Sequence, residues 1–247
     1  MGRPSRPQGE GLTYHVTARG NDRQLIFEND LDRLSFLGLV EATRERRDWQ
    51  IHAWCLMTNH FHLLLSTRHA DISAGIRDIL GRYVRRYNHF HGRSGHLFGR
   101  RFHSALVTTD EHFLQAIRYV NRNPVRAGLV TCPEHYAWSG YARRGTRHPP
   151  VTVDDADLLR RLHPVRTIAE RRLQELVRDD DAPMRASDPR PAIATLLQAL
   201  GPVHGARAAD RQGYRHSDIA TARGVSVRTL ARQLRTTDGR TARLTRS

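Results

Sequence analysis

The chain has 247 residues and a formal net charge of +15 with histidine neutral, and every one of its 40 Lys or Arg positions is Arg. A surplus of that size suits a polyanion, because guanidinium forks meet phosphate oxygens bidentately; a GC-rich genome would explain the absence of Lys but not the excess over acids, so the charge argues for nucleic acid. No apolar run reaches the roughly 18 residues of a membrane span, the amino terminus MGRPSRPQGEG lacks an apolar h-region, and Cys55 and Cys132 form no CxxC pair, which argues against a membrane protein, a disulfide framework or a structural cysteine-zinc site. The expectation is a soluble protein of the reducing cytoplasm, associated with the nucleoid.

In chain order, LTYHVTAR (residues 12–19) sets Tyr14, Val16 and Ala18 against Thr13, His15, Thr17 and Arg19 and reads as a half-buried strand. From Asn29 the pattern turns helical. Leu31, Leu34, Leu37 and Val40 recur at three-residue spacing, Asn29 is an N-cap, Asp32 lies where its charge suits the helix dipole, and the helix is expected to run to Arg47. WQIHAWCLM follows, apolar on both faces and so a central strand. Thr58 and Asn59 are turn residues that make a β-hairpin with MTNHFHLLL.

Residues 71–90 predict a helix with the stripe Ile72, Ile76, Ile79, Leu80 and Val84. HGRSGHLFGRRF is a basic, glycine-rich loop and HSALVTT a short strand; Asp110 would cap the helix containing FLQAIRYVNR, which is expected to stop near Pro124. Further helix is expected over 154–178. The order is strand, helix, two strands, helix, strand, helix, an α+β layout with helices on a mainly antiparallel sheet.

RDDDAPMRASDPRP has no apolar periodicity and reads as a linker, which divides the chain into a main domain (1–178), a linker (179–191) and a small all-α domain (192–247). In HSDIATARGVSVRTLARQLR, Ile219 and Ala220 precede Gly224 and Val225 by helix-turn-helix spacing. Leu230 and Leu234 would pack inward, while Arg228, Arg232 and Arg235 would be offered to DNA. An ordinary pair of core helices fits the same pattern.

In MTNHFHLLL, strand alternation puts His60 and His62 on one face and Phe61, Leu63 and Leu65 on the other. Two imidazoles at i, i+2 can bind one divalent metal, although solvated or hydrogen-bonded histidines show the same spacing. In AIRYVNRNPVRAGLV, Tyr119 and Asn123 are four apart and share a helix face. A phenolate is a competent nucleophile at phosphorus when a cation aligns the scissile phosphate. Equally, a helical Tyr can be a packing residue, and Asn123 with Pro124 can be an N-cap and N1 pair.

YHVTARGN, WCLMTNHFHLLL, GHLFGRRFHSALV, RYVNRNPVRAGLV and HYAWSGY, in this order, resemble the REP-associated tyrosine transposases, relatives of the single-strand insertion-sequence transposases within the HUH (His-hydrophobe-His) nucleases. The resemblance runs from about residue 12 to 145. It implies a ferredoxin-like core with a central antiparallel sheet, His60 and His62 as metal ligands, Tyr119 as nucleophile and Asn123 in the place of a third ligand, with Mg2+ or Mn2+ as the cation. It also implies cleavage and rejoining of structured single-stranded DNA, repetitive palindromic hairpins, through a 5′-phosphotyrosine link that leaves a free 3′-hydroxyl.

Arg100 and Arg101 suit phosphate contacts, as does Arg19 if the strand register turns it to the site. Tyr83 and Tyr87 are rival nucleophiles without a partner asparagine, and Trp54 and Trp138 read as core. The C-terminal domain is not shared by every member of the family; duplex DNA binding, dimerisation and regulation all suit it, and the protein is expected as a monomer or homodimer. Two other readings are a domesticated DNA-binding regulator with a vestigial catalytic site and a metal phosphodiesterase that uses water and would not need the tyrosine.

Overall fold

Four strands form one antiparallel sheet: β1 (Thr13–Arg19), β2 (Trp49–Leu56), β3 (His60–Thr67) and β4 (His103–Val107), in the spatial order β2-β3-β1-β4. The structure is a computed structural model and describes residues 8–99, 101–143, 150–178, 197, 201–203, 206, 209 and 216–236. Helices α1 (Asp30–Arg47) and α2 (Ile72–Phe90) connect β1 to β2 and β3 to β4. Each connection skips one strand of the sheet, which is the ferredoxin-like arrangement expected from the order of elements. Helix α3 (Asp110–Arg126) follows β4, and α4 (Ala156–Leu162) and α5 (Arg166–Arg178) follow in turn.

Alternation divides the sheet into two buried faces. Phe61 packs against Phe36 of α1, which meets Tyr83 of α2, so α1 and α2 cover the face that carries Phe61. Leu64, Ala53 and Cys55 instead join Phe113, Ile117 and Val120 of α3, with Leu158, Leu159, Leu173 and Val177 of α4 and α5 behind them. His60 and His62 share the parity of Leu64 and therefore face α3.

Helix α1 begins as expected: Asn29 accepts from the Asp32 amide, and the Asp32 carboxylate accepts from the amides of Asn29 and Glu28, a capping box. The buried stripe, however, is Phe36, Leu37, Val40 and Thr43, while Leu31 is 76% and Leu34 48% exposed. In α2, Tyr83 and Tyr87 continue the stripe of Ile72, Ile76 and Ile79 in place of Leu80 and Val84, which are only half-buried. The cap of α3 is Thr109, whose Oγ1 accepts from the His112 amide, with Asp110 the first helical residue.

The expected stop of α3 near Pro124 falls two residues beyond it. The helix runs through it to Arg126 and ends with Gly128 at φ 68°, where a side chain would be strained, while the Leu129 amide donates to the Pro124 carbonyl. The expected helix over 154–178 is two. His163 is extended because it precedes Pro164, whose ring disfavours helical backbone at the residue before it. Arg122 of α3 donates to the carbonyls of Val177 and Arg178 and so satisfies the end of α5. Cys55 and Cys132 are free thiols.

The chain divides into two compact units, Gln8–Arg185 and Met1–Pro7 with Ala186–Ser247. The expected linker 179–191 lies outside the described residues. In the second unit, helices His216–Arg223 and Val227–Thr236 flank a turn in which Gly224 has φ 64° and the Ser226 hydroxyl accepts from the Thr229 amide. Ile219, Ala220 and Leu230 are buried, and Arg228 is exposed. Arg232 and Arg235 belong to the second helix; their side chains lie outside the described residues.

Candidate active site

The β1–β3 register decides which polar residues of β1 meet the histidine strand. Thr17 pairs with His62 and Arg19 with His60, so Arg19, Thr17 and His15 share the face of the two histidines. On the far side of β1, His103 of β4 pairs with Thr17 and joins the same face. Arg19 is exposed, and the Gly99 amide donates to its carbonyl, which brings the glycine-rich loop to the end of β1 two residues before the exposed Arg101. Arg100 lies outside the described residues. Gly20, next in the chain, admits no side chain, because a Cβ there would stand 2.2 Å from the Gln24 carbonyl oxygen.

The His60 and His62 rings are 5.0 Å apart between centroids and nearly perpendicular. Nδ1 of His60 is 2.7 Å from the Asn59 side-chain oxygen. Nδ1 of His62 is 2.9 Å from Nε2 of His15, and the two rings stack at 5.2 Å. His62 is 4% exposed, and its Nε2 is buried without a hydrogen-bond partner among the described residues. Burial holds all three imidazoles neutral. It lowers His15 to about 3, with help from His103 and His112, and His60 to about 4, with help from Arg19; His62 falls well below its ordinary value. Neutral rings with a free nitrogen are metal-ready ligands at physiological pH.

Helix α3 carries Tyr119 to the same place. Its ring lies 5.5 Å from the His62 ring and 5.6 Å from that of His15, edge-on to both. The Arg126 guanidinium sits 5.2 Å over the tyrosine ring. Asn123 donates its side-chain amide to the Tyr119 carbonyl at 2.8 Å, which leaves the amide oxygen as the donor atom for a hard cation. Since α3 is continuous across Asn123 and Pro124, Asn123 caps no new helix. No group of three His, Cys, Asp or Glu converges as a metal cage among the described residues.

Tyr83 and Tyr87 lie elsewhere. Both are buried, with their hydroxyls donating to the Ile26 carbonyl and the Glu28 carboxylate. Burial raises the Tyr83 phenol strongly and the Tyr87 phenol to about 12, so both are poor nucleophiles. Trp54 is buried, and Trp138 is half-buried with Arg33 and Arg143 over its ring.

Two residues of the site escaped the sequence reading. Arg126 lies seven residues beyond Tyr119, two helical turns along the same face, and that spacing was the available signal. His103 needed the β4 register, which sequence does not supply. The bond from His15 to His62 likewise depends on register, although strand parity had already put His15 on a polar face.

The sheet thus presents a His-hydrophobe-His pair to a tyrosine of the helix packed on it. Residues 9–123 match the model of the family described as "Transposase IS200 like". A solved structure of the REP-associated tyrosine transposase bound to a REP hairpin matches the fold at a TM-score of 0.50, with 19% sequence identity, over 63% of this chain and 93% of that one. A comparison with curated proteins gave no significant match. No helix among the described residues is long and apolar enough to cross a membrane.

Proposed function

We propose that this protein cleaves and rejoins structured single-stranded DNA, with Tyr119 as nucleophile and a divalent cation, Mg2+ or Mn2+, held by His60, His62 and the side-chain oxygen of Asn123. The observation that carries the reading is the Tyr119 ring packed 5.5 Å from His62, whose Nε2 is buried without a hydrogen-bond partner among the described residues. A buried imidazole nitrogen left unsatisfied costs free energy, and a cation would repay it. When bound, the cation supplies Lewis-acid polarisation of the scissile phosphate.

The chain's own residues do the rest. Tyr119 Oη attacks phosphorus and loses its proton; the P–O3′ bond breaks, its electron pair leaves with the 3′-oxygen, and that oxygen takes up a proton. A 5′-phosphotyrosine and a free 3′-hydroxyl result, and the reverse step rejoins the strand with no external energy source. Arg126, beside the tyrosine ring, offers positive charge to the phosphate, and Arg19, Arg100 and Arg101 would track the flanking backbone. The hairpin held by the structural neighbour supports a hairpin with single-stranded flanks as substrate.

The second unit is read as a helix-turn-helix that docks on duplex DNA beside the repeat through Arg228 and Arg232. The whole is read as a cytoplasmic, nucleoid-associated protein, monomeric or homodimeric. Incubation with a single-stranded DNA hairpin and Mn2+ should give a covalent adduct on a denaturing gel that is lost in Tyr119→Phe. Cleavage that persists in Tyr119→Phe would establish a hydrolase instead, and binding without cleavage a regulator.

A further inference from the structure

His15 lies one strand away from the histidine pair, yet it hydrogen-bonds the His62 ring directly. Its Nε2 is 2.9 Å from His62 Nδ1, the rings stack at an interplanar angle of 21°, and both residues are buried. A hydrogen bond between two ring nitrogens holds a single proton, and there are two ways to place it.

If His15 Nε2 carried the proton, His62 Nδ1 would be the acceptor and His62 Nε2 would hold a buried N–H with nothing to donate to among the described residues. If His62 Nδ1 carries it, His15 Nε2 is the acceptor and His62 Nε2 presents a lone pair. The first arrangement buries an unsatisfied donor and closes the ring to a cation; the second frees the nitrogen that faces the site.

We infer that His15 is a positioning residue that fixes the tautomer and orientation of His62 by accepting its Nδ1–H, so that His62 Nε2 is preset as a ligand. The inference rests on the proposed cation site. The His15 ring also stands edge-on to Tyr119 at 5.6 Å, so one side chain touches both the ligand ring and the tyrosine. The β1–β3 ladder makes the bond possible: Thr17 lies directly opposite His62, and His15 reaches it along the diagonal from two residues away.

Two measurements test this on the full chain. In long-range 1H–15N spectra of the metal-free protein, His62 should show a protonated Nδ1 and an unprotonated Nε2; a protonated Nε2 overturns the inference. In Mn2+ titrations, His15→Leu should weaken binding by roughly 10- to 100-fold, whereas His15→Gln, whose amide oxygen can accept near the Nε2 position, should stay within about threefold of wild type. Unchanged Mn2+ affinity in a folded His15→Leu also overturns it, and if that variant fails to fold, the wild-type spectrum and the Gln variant still decide. His62→Ala tells the two readings apart: Mn2+ binding that survives this change defeats the cation site, while the tautomer spectrum continues to judge the hold of His15 on His62.

Discussion

Arg19 stands directly across the β1–β3 ladder from His60, its guanidinium exposed beside a half-buried imidazole. The pairing gives Arg19 two effects, a positive charge at the edge of the candidate site and a contribution to the lowered pKa of His60 that is second to burial. If that charge meets a phosphate, Arg19→Gln should weaken single-stranded DNA binding and flatten its salt dependence, the log–log slope falling by about 0.7 for one phosphate no longer neutralised. Fluorescence anisotropy over a salt series checks this, and an unchanged slope would remove Arg19 from the DNA path.

Acid should destabilise the metal-free protein earlier than carboxylate titration alone would require. His15, His62 and His52 all have their pKa values lowered by burial, so the unfolded chain takes up their protons first. Stability is therefore complete above the unfolded value near 6.5 and falls as pH drops toward the folded values, with a slope of up to about 1.4 kcal/mol per pH unit for each group. Denaturant unfolding at pH 7.5 and pH 5 measures the loss, with both values chosen as roughly bracketing that transition. His15→Gln should shrink the difference, and a flat profile between the two would contradict the buried neutral rings.

Tyr83→Phe should cost about 1–2 kcal/mol, because it leaves the Ile26 carbonyl buried without its donor, yet it should form the DNA adduct at the wild-type level. Thermal melts and the denaturing gel read the two effects separately. Loss of the adduct in a folded Tyr83→Phe would move the nucleophile to α2.

The two-residue period of strands is why the histidine pair and its apolar reverse face were legible in MTNHFHLLL: parity alone sets direction. The helix stripes were less so. A three-residue step falls roughly 60° short of a full turn, so the series Leu31, Leu34, Leu37, Val40 winds around α1 and only its later members reach the core. Tyrosine suits a core as readily as a site, and Tyr83 and Tyr87 proved to be core because each hydroxyl found a fixed acceptor. Pro124 marks a stop in most helices, but in the last turn of α3 it deprives only the Val120 carbonyl of a donor and the helix absorbs it. Which histidines meet across the sheet depends on register, and no local pattern encodes that.

The central claim is that the Tyr119 phenol takes up the DNA. Tandem mass spectrometry of the protease-digested product formed with a Mn2+-loaded hairpin substrate tests it most directly. A nucleotide remnant joined through its 5′-phosphate to Tyr119 is the expected result. A remnant on another tyrosine, or cleaved DNA with no remnant on any peptide, would contradict it.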